Sequence, residues 1–237
     1  MARTIRLGER LMKIAGMVKR GASIIDVGTD HAYLPAYLLL CGAIDAAKAS
    51  DIRPGPIARA EQTRRRFCLK DRLELFVCPG LRDFSTSDAD TIIIAGMGGE
   101  TIAAILDEAP WTRDGLHRLI LQPMTSPGEL RRYLFENGYE IYDEVLARDR
   151  GRLYTILDAR GGGPGDSARL PFEYFASRHV LGDDLAGAYL ELQLNRIGKR
   201  IDGLLHSRTP GRGELSFLRD AVDGLTQLKR EWEECRR

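Results

Sequence analysis

The residues best suited to chemistry stand in a few short blocks. The first is Asp26-Val27-Gly28-Thr29-Asp30-His31-Ala32-Tyr33-Leu34-Pro35, after the apolar run Ser23-Ile24-Ile25. An acid, a glycine turn and then a helix-like stretch is how a nucleotide-type site begins on an open α/β sheet. Asp51 closes a second apolar stretch, 25 residues after Asp26. A carboxylate there can accept both hydroxyl hydrogens of a ribose. The spacing resembles a dinucleotide fold, but the turn lacks G-x-G-x-x-G, which argues against a dehydrogenase. One glycine after an acid suits S-adenosylmethionine better, because no pyrophosphate has to approach the backbone. On this reading Gly28 admits the ligand to the backbone. Asp26 orients the turn or attracts the donor's positive charge.

Asp30 and His31 stand at the mouth of the same turn. A carboxylate there can stabilise a sulfonium or hold the exocyclic amine of a base. Helix capping by Asp30 is the structural alternative. His31 can shuttle a proton or orient Asp30. Ile94-Ala95-Gly96-Met97-Gly98-Gly99 reads as a glycine-rich turn after a buried strand. Its backbone carbonyls can accept hydrogen bonds from an amine, and a plain tight turn is the alternative. Gln122-Pro123-Met124 ends the next strand beside it. Arg64-Arg65-Arg66 reads as the solvated face of a helix, with phosphate contact as the alternative.

These blocks need a scaffold that brings them together. Helical spacing predicts a helix over 4–20 and others over 32–40, 56–68, 100–108 and 127–136. Apolar runs predict strands over 23–27, 46–50, 73–77, 91–95 and 118–121. Residues 139–147 and 152–159 alternate as a hairpin around Asp149-Arg150-Gly151. Strands alternating with helices imply a parallel sheet covered on both faces, with the hairpin as an antiparallel edge. Arg160 to Asp166 is glycine-rich and reads as a flexible connector. Beyond it, a short helix is expected near 171–181. Leu190, Leu194, Ile197, Ile201 and Leu204 then form one heptad seam, and Leu215, Leu218, Val222, Leu225 and Trp232 a second. They predict an antiparallel, coiled-coil-like helical hairpin, which either packs on its own domain or grips a macromolecule. The chain thus divides into an α/β domain over 1–160 and a helical domain over 167–237.

Composition narrows the classes. Net charge is +1 over 237 residues, so a nucleic-acid partner cannot be argued from total charge and needs a local basic patch. No apolar run approaches a membrane span, and the N-terminal residues show no signal-peptide core, so a cytoplasmic protein is expected. Cys41, Cys68, Cys78 and Cys235 form no C-x-x-C pair. They read as reduced packing thiols with no metal. A monomer is expected.

The blocks D-x-G-T-D-H-A-Y-L-P and I-A-G-M-G-G resemble the bacterial tRNA adenine-22 N1-methyltransferase family. So do Arg10-Leu11, Ala49-Ser50-Asp51 with Gly55-Pro56, Leu119-Ile120-Leu121-Gln122-Pro123-Met124, Asn137-Gly138-Tyr139 and Tyr154. The match is close over roughly residues 7–158, and the heptad tail fits the family's helical arm more loosely. The resemblance implies a Rossmann-like class I methyltransferase sheet, S-adenosylmethionine as donor and an adenosine of the tRNA D-arm as acceptor. It implies donor contacts at Asp26, Gly28, Asp51, Ile52, Gly80, Leu81, Ala95 and Gly96, and catalytic roles for Asp30, His31 and Met97. One departure stands out. Pro79-Gly80-Leu81 replaces the family's usual Asp-Gly-Leu, so the acid near the donor's adenine amine is missing, and Arg152 stands where a lysine is common. Two other readings remain open: a methyltransferase for a small-molecule or protein acceptor, and a non-catalytic RNA-binding protein.

Overall fold

The computed structural model describes residues 4–166, 169–206 and 212–236. Seven strands form one sheet in the order β3-β2-β1-β4-β5-β7-β6. β1 (Ile24–Val27), β2 (Ala47–Asp51), β3 (Leu73–Val77), β4 (Thr91–Gly98) and β5 (Arg118–Thr125) are parallel. β6 (Tyr139–Asp149) and β7 (Arg152–Gly161) form the hairpin, and β7 pairs antiparallel with β5. Arg150 and Gly151 both have positive φ, the backbone that a two-residue hairpin turn requires.

The buried strands sort their side chains with period two. Ile25, Ile92, Ile94, Leu119 and Leu121 face α4 (Gly99–Asp107) and α5 (Pro127–Glu136). Ile24, Ile93 and Ile120 face the opposite layer of α1 (Glu9–Met17), α2 (Tyr33–Leu40) and α3 (Pro54–Arg66). The result is a three-layer α/β sandwich. Prolines at the first turns of α3 and α5 preset the helical φ where no backbone donor is needed.

Beyond the sheet, α6 (Ala186–Leu205) and α7 (Arg212–Glu234) pack antiparallel, with Arg200 near Glu214 and Glu191 near Lys229. Leu190, Ile197, Leu218, Leu225 and Leu228 are buried in their seam together with Leu146 of β6. The helical pair therefore packs both on itself and on β6 of the sheet.

Several expected boundaries move. Residues 4–8 are not helical, and α1 begins at Glu9 after the extended Gly8. The expected helix near 171–181 is two short 3-10 turns, Pro171–Tyr174 and Arg178–Gly182. Leu215 is half-buried outside the seam, and Ala221 and Leu228 are buried within it. The connector is pinned where it starts: a Cβ on Gly161 would stand 2.2 Å from the Arg113 carbonyl, and Gly163 N–H donates to Gly138 O at 2.8 Å. Residues 207–211, between the two seams, lie outside the described residues. Of the four thiols only Cys78 is buried; the other three are exposed.

Candidate active site

Sheet order reverses between β1 and β4, and a crevice opens outside their carboxyl ends, as expected for an open α/β sheet. Its wall begins in the loop after β1. Gly28 and Thr29 N–H groups both donate to Ser50 O, at 2.8 and 2.9 Å, which ties this loop to the end of β2. Gly28 has φ +78°, and a Cβ there would stand 1.9 Å from the Met97 methyl. The Met97 side chain therefore crosses the crevice over Gly28, where only glycine leaves room.

On one side of that crossing is a mostly apolar cavity of about 210 Å³, lined by Asp51, Ile52, Gly80, Met97 and Ile105 among others. Asp51 is largely buried, and its Oδ1 accepts from Arg53 N–H at 2.8 Å. That holds the carboxylate at the carboxyl end of β2 and occupies only one of its two oxygens. Glu108 also lines this cavity, held by two hydrogen bonds of 2.9 Å from Arg82. On the other side is a more polar cavity of about 340 Å³, lined by Arg10, Asp26, Asp30, His31, Tyr33 and Gly96 among others. Asp26 is buried, and burial pushes its carboxyl up to about 6 against the opposing hydrogen bond from Thr29.

The mouth of the polar cavity carries two linked groups. Asp30 Oδ1 accepts from Arg59 of α3 through both Nε, at 2.9 Å, and Nη2. Its Oδ2 stands 3.5 Å from His31 Nε2. The His31 ring stacks on Tyr33 with centroids 4.9 Å apart and planes 5° from parallel. Asp30 does not cap α2, whose N-cap is Ala32 with no side-chain bond.

The expected glycine turn after β4 is instead strand. β4 runs on to Gly98 and pairs Met97 with Pro123 and Gly98 with Thr125, with register shifts on either side of Met97. Pro123 has no N–H to give the ladder, which accounts for irregular pairing there. β5 correspondingly continues past Leu121 to Thr125. A Cβ on Gly99 would stand 2.2 Å from Ser126 O, so this glycine lets α4 meet the loop before α5. Gly96, with φ +88°, faces the guanidinium of Arg10.

Ten of the eleven singled-out residues line the two cavities: Asp26, Gly28, Asp30, His31, Asp51, Ile52, Gly80, Ala95 and Gly96, in positions that put ribose-type, amine and base chemistry side by side, and Met97. Met97 lines the apolar one. Leu81 does not line either; it is 2% exposed and packs in the hydrophobic layer under α4. Besides Glu108, three contributors come from outside the expected set. Arg10 donates to the side-chain oxygen of the buried Gln122, and Arg59 fixes Asp30. Tyr33 adds an exposed ring beside His31. The arginine run does not reach the crevice: Arg64 and Arg65 pair with Glu61, and Arg66 lies over Phe67. Among the described residues no cluster of side chains suits a metal ion, and no helix is long and apolar enough to cross a membrane.

Comparison with known proteins identifies the family. Residues 7–157 match the methyltransferase domain family. Over 158 residues the chain is 35% identical to the tRNA (adenine(22)-N(1))-methyltransferase of Bacillus subtilis, covering 67% of this chain and 66% of that protein. The crystal structure of the B. subtilis m1A22 tRNA methyltransferase TrmK superposes with a TM-score of 0.76 at 28% identity, covering 95% of this chain and 99% of that one. A putative tRNA (m1A22) methyltransferase of Streptococcus pneumoniae, solved in complex with S-adenosyl-L-methionine, gives 0.72 at 30% identity, covering 94% and 100%. The chain belongs to the methyltransferase domain family, in its tRNA (adenine-22-N1)-methyltransferase branch.

Proposed function

We propose that the protein transfers a methyl group from S-adenosylmethionine to N1 of adenine 22 in tRNA. The observation that carries this reading is the two-lobed crevice at the sheet's reversal point, with a buried carboxylate in each lobe and glycine where the lobes meet. The residues present fit the donor. Asp51 is placed to accept from the ribose hydroxyls, and the apolar lobe between Ile52 and Ile105 suits an adenine ring. Glu108 offers that ring's amine the acid that Pro79 lacks. Asp26 and the backbone at Gly96, which line the polar lobe, suit the charged amino-acid end.

When bound, the donor supplies an electrophilic sulfonium methyl. Adenine N1 carries its own lone pair, so the protein has no strong nucleophile to generate, and its main work is alignment. N1 lies on the Watson–Crick edge, so the base must leave its pair or stack to be reached. The stacked His31–Tyr33 rings present a flat surface at the mouth for such a base. As N1 gains its methyl the ring becomes cationic and the N6 amine more acidic. Asp30, oriented by Arg59 and His31, accepts a hydrogen bond from that amine and stabilises the developing charge. Met97, lying over Gly28, contributes shape at the boundary between donor and acceptor.

Donor site and acceptor mouth come from one chain, so the proposed working unit is a monomer. With a tRNA substrate, the proposed site of the reaction is the cytoplasm. We assign donor binding to residues 1–160 and substrate support to a helical domain over 167–237.

The deciding experiment is transfer of labelled methyl to unmodified tRNA, followed by nucleoside mapping. N1-methyladenosine at position 22 is expected. Donor binding without transfer to tRNA would move the acceptor to a small molecule or protein; no donor binding would leave an RNA-binding protein. In the same assay Asp30→Ala is expected to lower kcat on the order of 10²-fold while donor affinity stays within about threefold. Equal losses in both would make Asp30 a donor-binding residue.

Asp26 adds a pH dependence. A cationic donor favours its carboxylate form, so binding releases the proton that the free protein holds below about 6. Donor affinity is expected to fall by up to tenfold per pH unit below that value and to level off above it. In the ligand-free protein the sign is opposite: the raised value favours folding below the unfolded range, and this contribution is lost as pH rises through about 6. Calorimetric titrations between pH 5 and 8 check it. Asp26→Asn should flatten the profile, and an unchanged slope in that variant removes Asp26 from the donor site.

A further inference from the structure

A third cavity, of about 640 Å³, lies between α6 and the tip of the β6–β7 hairpin. Arg148 and Arg152 reach it from the hairpin and Arg196 from α6, with Asn195 beside them, and all four are exposed. Among the described residues no carboxylate pairs with any of these three arginines. By contrast Arg59, Arg82, Arg113, Arg118, Arg131 and Arg169 are each in an ion pair. The acid on the rim, Glu191, lies 3.5 Å from Lys229. Asp149, at the hairpin tip, lies against Gly8 and acts on Arg10. The groove is therefore a local excess of positive charge in a chain that is nearly neutral overall.

The inner end of the groove is linked to the active-site crevice by a chain of side-chain contacts. Met124 and Tyr154 line it. The Met124 sulfur accepts from Gln122 Nε2 at 3.7 Å, and Gln122 in turn accepts from Arg10, which lines the polar lobe. Tyr154 is close enough to Arg10 to act on its charge. A polymer lying in the groove would thus meet three cationic forks and an aromatic ring on one surface.

We propose that this groove seats the sugar-phosphate backbone next to the target nucleotide, with phosphates on Arg148, Arg152 and Arg196. The inference rests on the tRNA reading above and names the surface that serves it. Unpaired arginines in a cleft favour phosphate, since the guanidinium fork matches its oxygens. An aromatic ring at the end of a basic groove is the arrangement that holds an unstacked strand. It gives α6 a task that the heptad seam alone does not explain: its seam packs, and its outer face lines the path of the substrate.

The test uses the full chain and an unmodified tRNA transcript. The triple variant R148Q/R152Q/R196Q is titrated with tRNA at several salt concentrations, beside the wild type. Affinity is expected to fall roughly 10- to 100-fold near 0.1 M salt, and the slope of log K against log salt to become shallower by about 2 to 3. In turnover the loss enters through KM for tRNA. Donor affinity and melting temperature serve as controls and are expected to match the wild type, because the three side chains are exposed. A variant with wild-type affinity and slope overturns the groove and leaves the tRNA reading intact. Wild-type protein that binds no tRNA overturns both.

Discussion

Replacing Asp51 with alanine is expected to weaken S-adenosylmethionine binding about 10- to 100-fold, the largest single loss at the donor site. The expectation follows from how the carboxylate is held. It ends β2, is largely buried, and spends Oδ1 on the backbone N–H of Arg53. That bond stops the side chain from rotating away, so the other oxygen is oriented before any ligand arrives. Hydrogen bonds to a charged acceptor contribute about 1.5–3 kcal/mol each, and one such bond already accounts for the expected range. Alanine removes the acceptor and leaves the ribose hydroxyls facing the apolar wall of Ile52 and Ile105. Asp51→Asn keeps the shape and one acceptor oxygen, so it should lose less. Calorimetry with the donor alone checks both variants, with no RNA needed. Donor affinity within a factor of two of wild type for Asp51→Ala would falsify the ribose assignment.

Much of this site was legible because the sheet writes itself plainly. Ile24-Ile25, Ile92-Ile93-Ile94 and Leu119-Ile120-Leu121 are runs buried on both faces, so each strand and its terminal acid or glycine could be placed. α5 falls over the residues, 127–136, that helical spacing puts there. The glycines after β4 were harder. Glycine suggests a turn, but Gly96 to Gly98 stay in the sheet because β5 runs on beside them as a partner. Arg10 and Arg59 were not legible as site residues. One arginine looks like another in a sequence, and the Arg10–Gln122 contact joins positions 112 residues apart. Leu81 sits in a recognisable block, yet its side chain serves the core. Arg131 did leave a signal. It lies on the face of α5 defined by the buried Leu130, Leu134 and Phe135, where a charge demands a partner.

That partner is Glu144, and breaking the pair is expected to be the most destabilising change in the molecule. Both side chains are fully buried, with Arg131 Nη2 2.5 Å from Glu144 Oε1. Thr155 donates to the same oxygen at 2.6 Å, and Ser177 N–H to Oε2 at 2.7 Å. Arg131 Nη1 donates in turn to Glu173 O at 3.2 Å. The cluster therefore ties α5, β6 and β7 to the segment that leads into the helical pair, and Tyr189 of α6 closes over it with a hydrogen bond to Phe175 O. Burial alone would push the Glu144 carboxyl up, but the charge of Arg131 and the hydrogen bonds it accepts hold it below its usual range. Its contribution is thus present above the ordinary carboxylate range and is lost as pH falls through the lowered value. Glu144→Gln keeps the volume and leaves a buried cation unanswered; Arg131→Met leaves a buried anion. Either is expected to cost about 3–5 kcal/mol, while the double replacement should recover much of it, since it leaves no buried charge without a partner. For a chain of this size the single variants should melt on the order of 10 °C lower. Denaturant unfolding of the two singles and the double measures the coupling directly. Singles as stable as the wild type would mean that water or a rearrangement answers the lone charge, and that the helical pair does not depend on this cluster for its seat. If the singles do lose stability while free donor still binds, the cluster is what holds the Arg196 face of α6 opposite the hairpin. In that case tRNA affinity should fall together with stability.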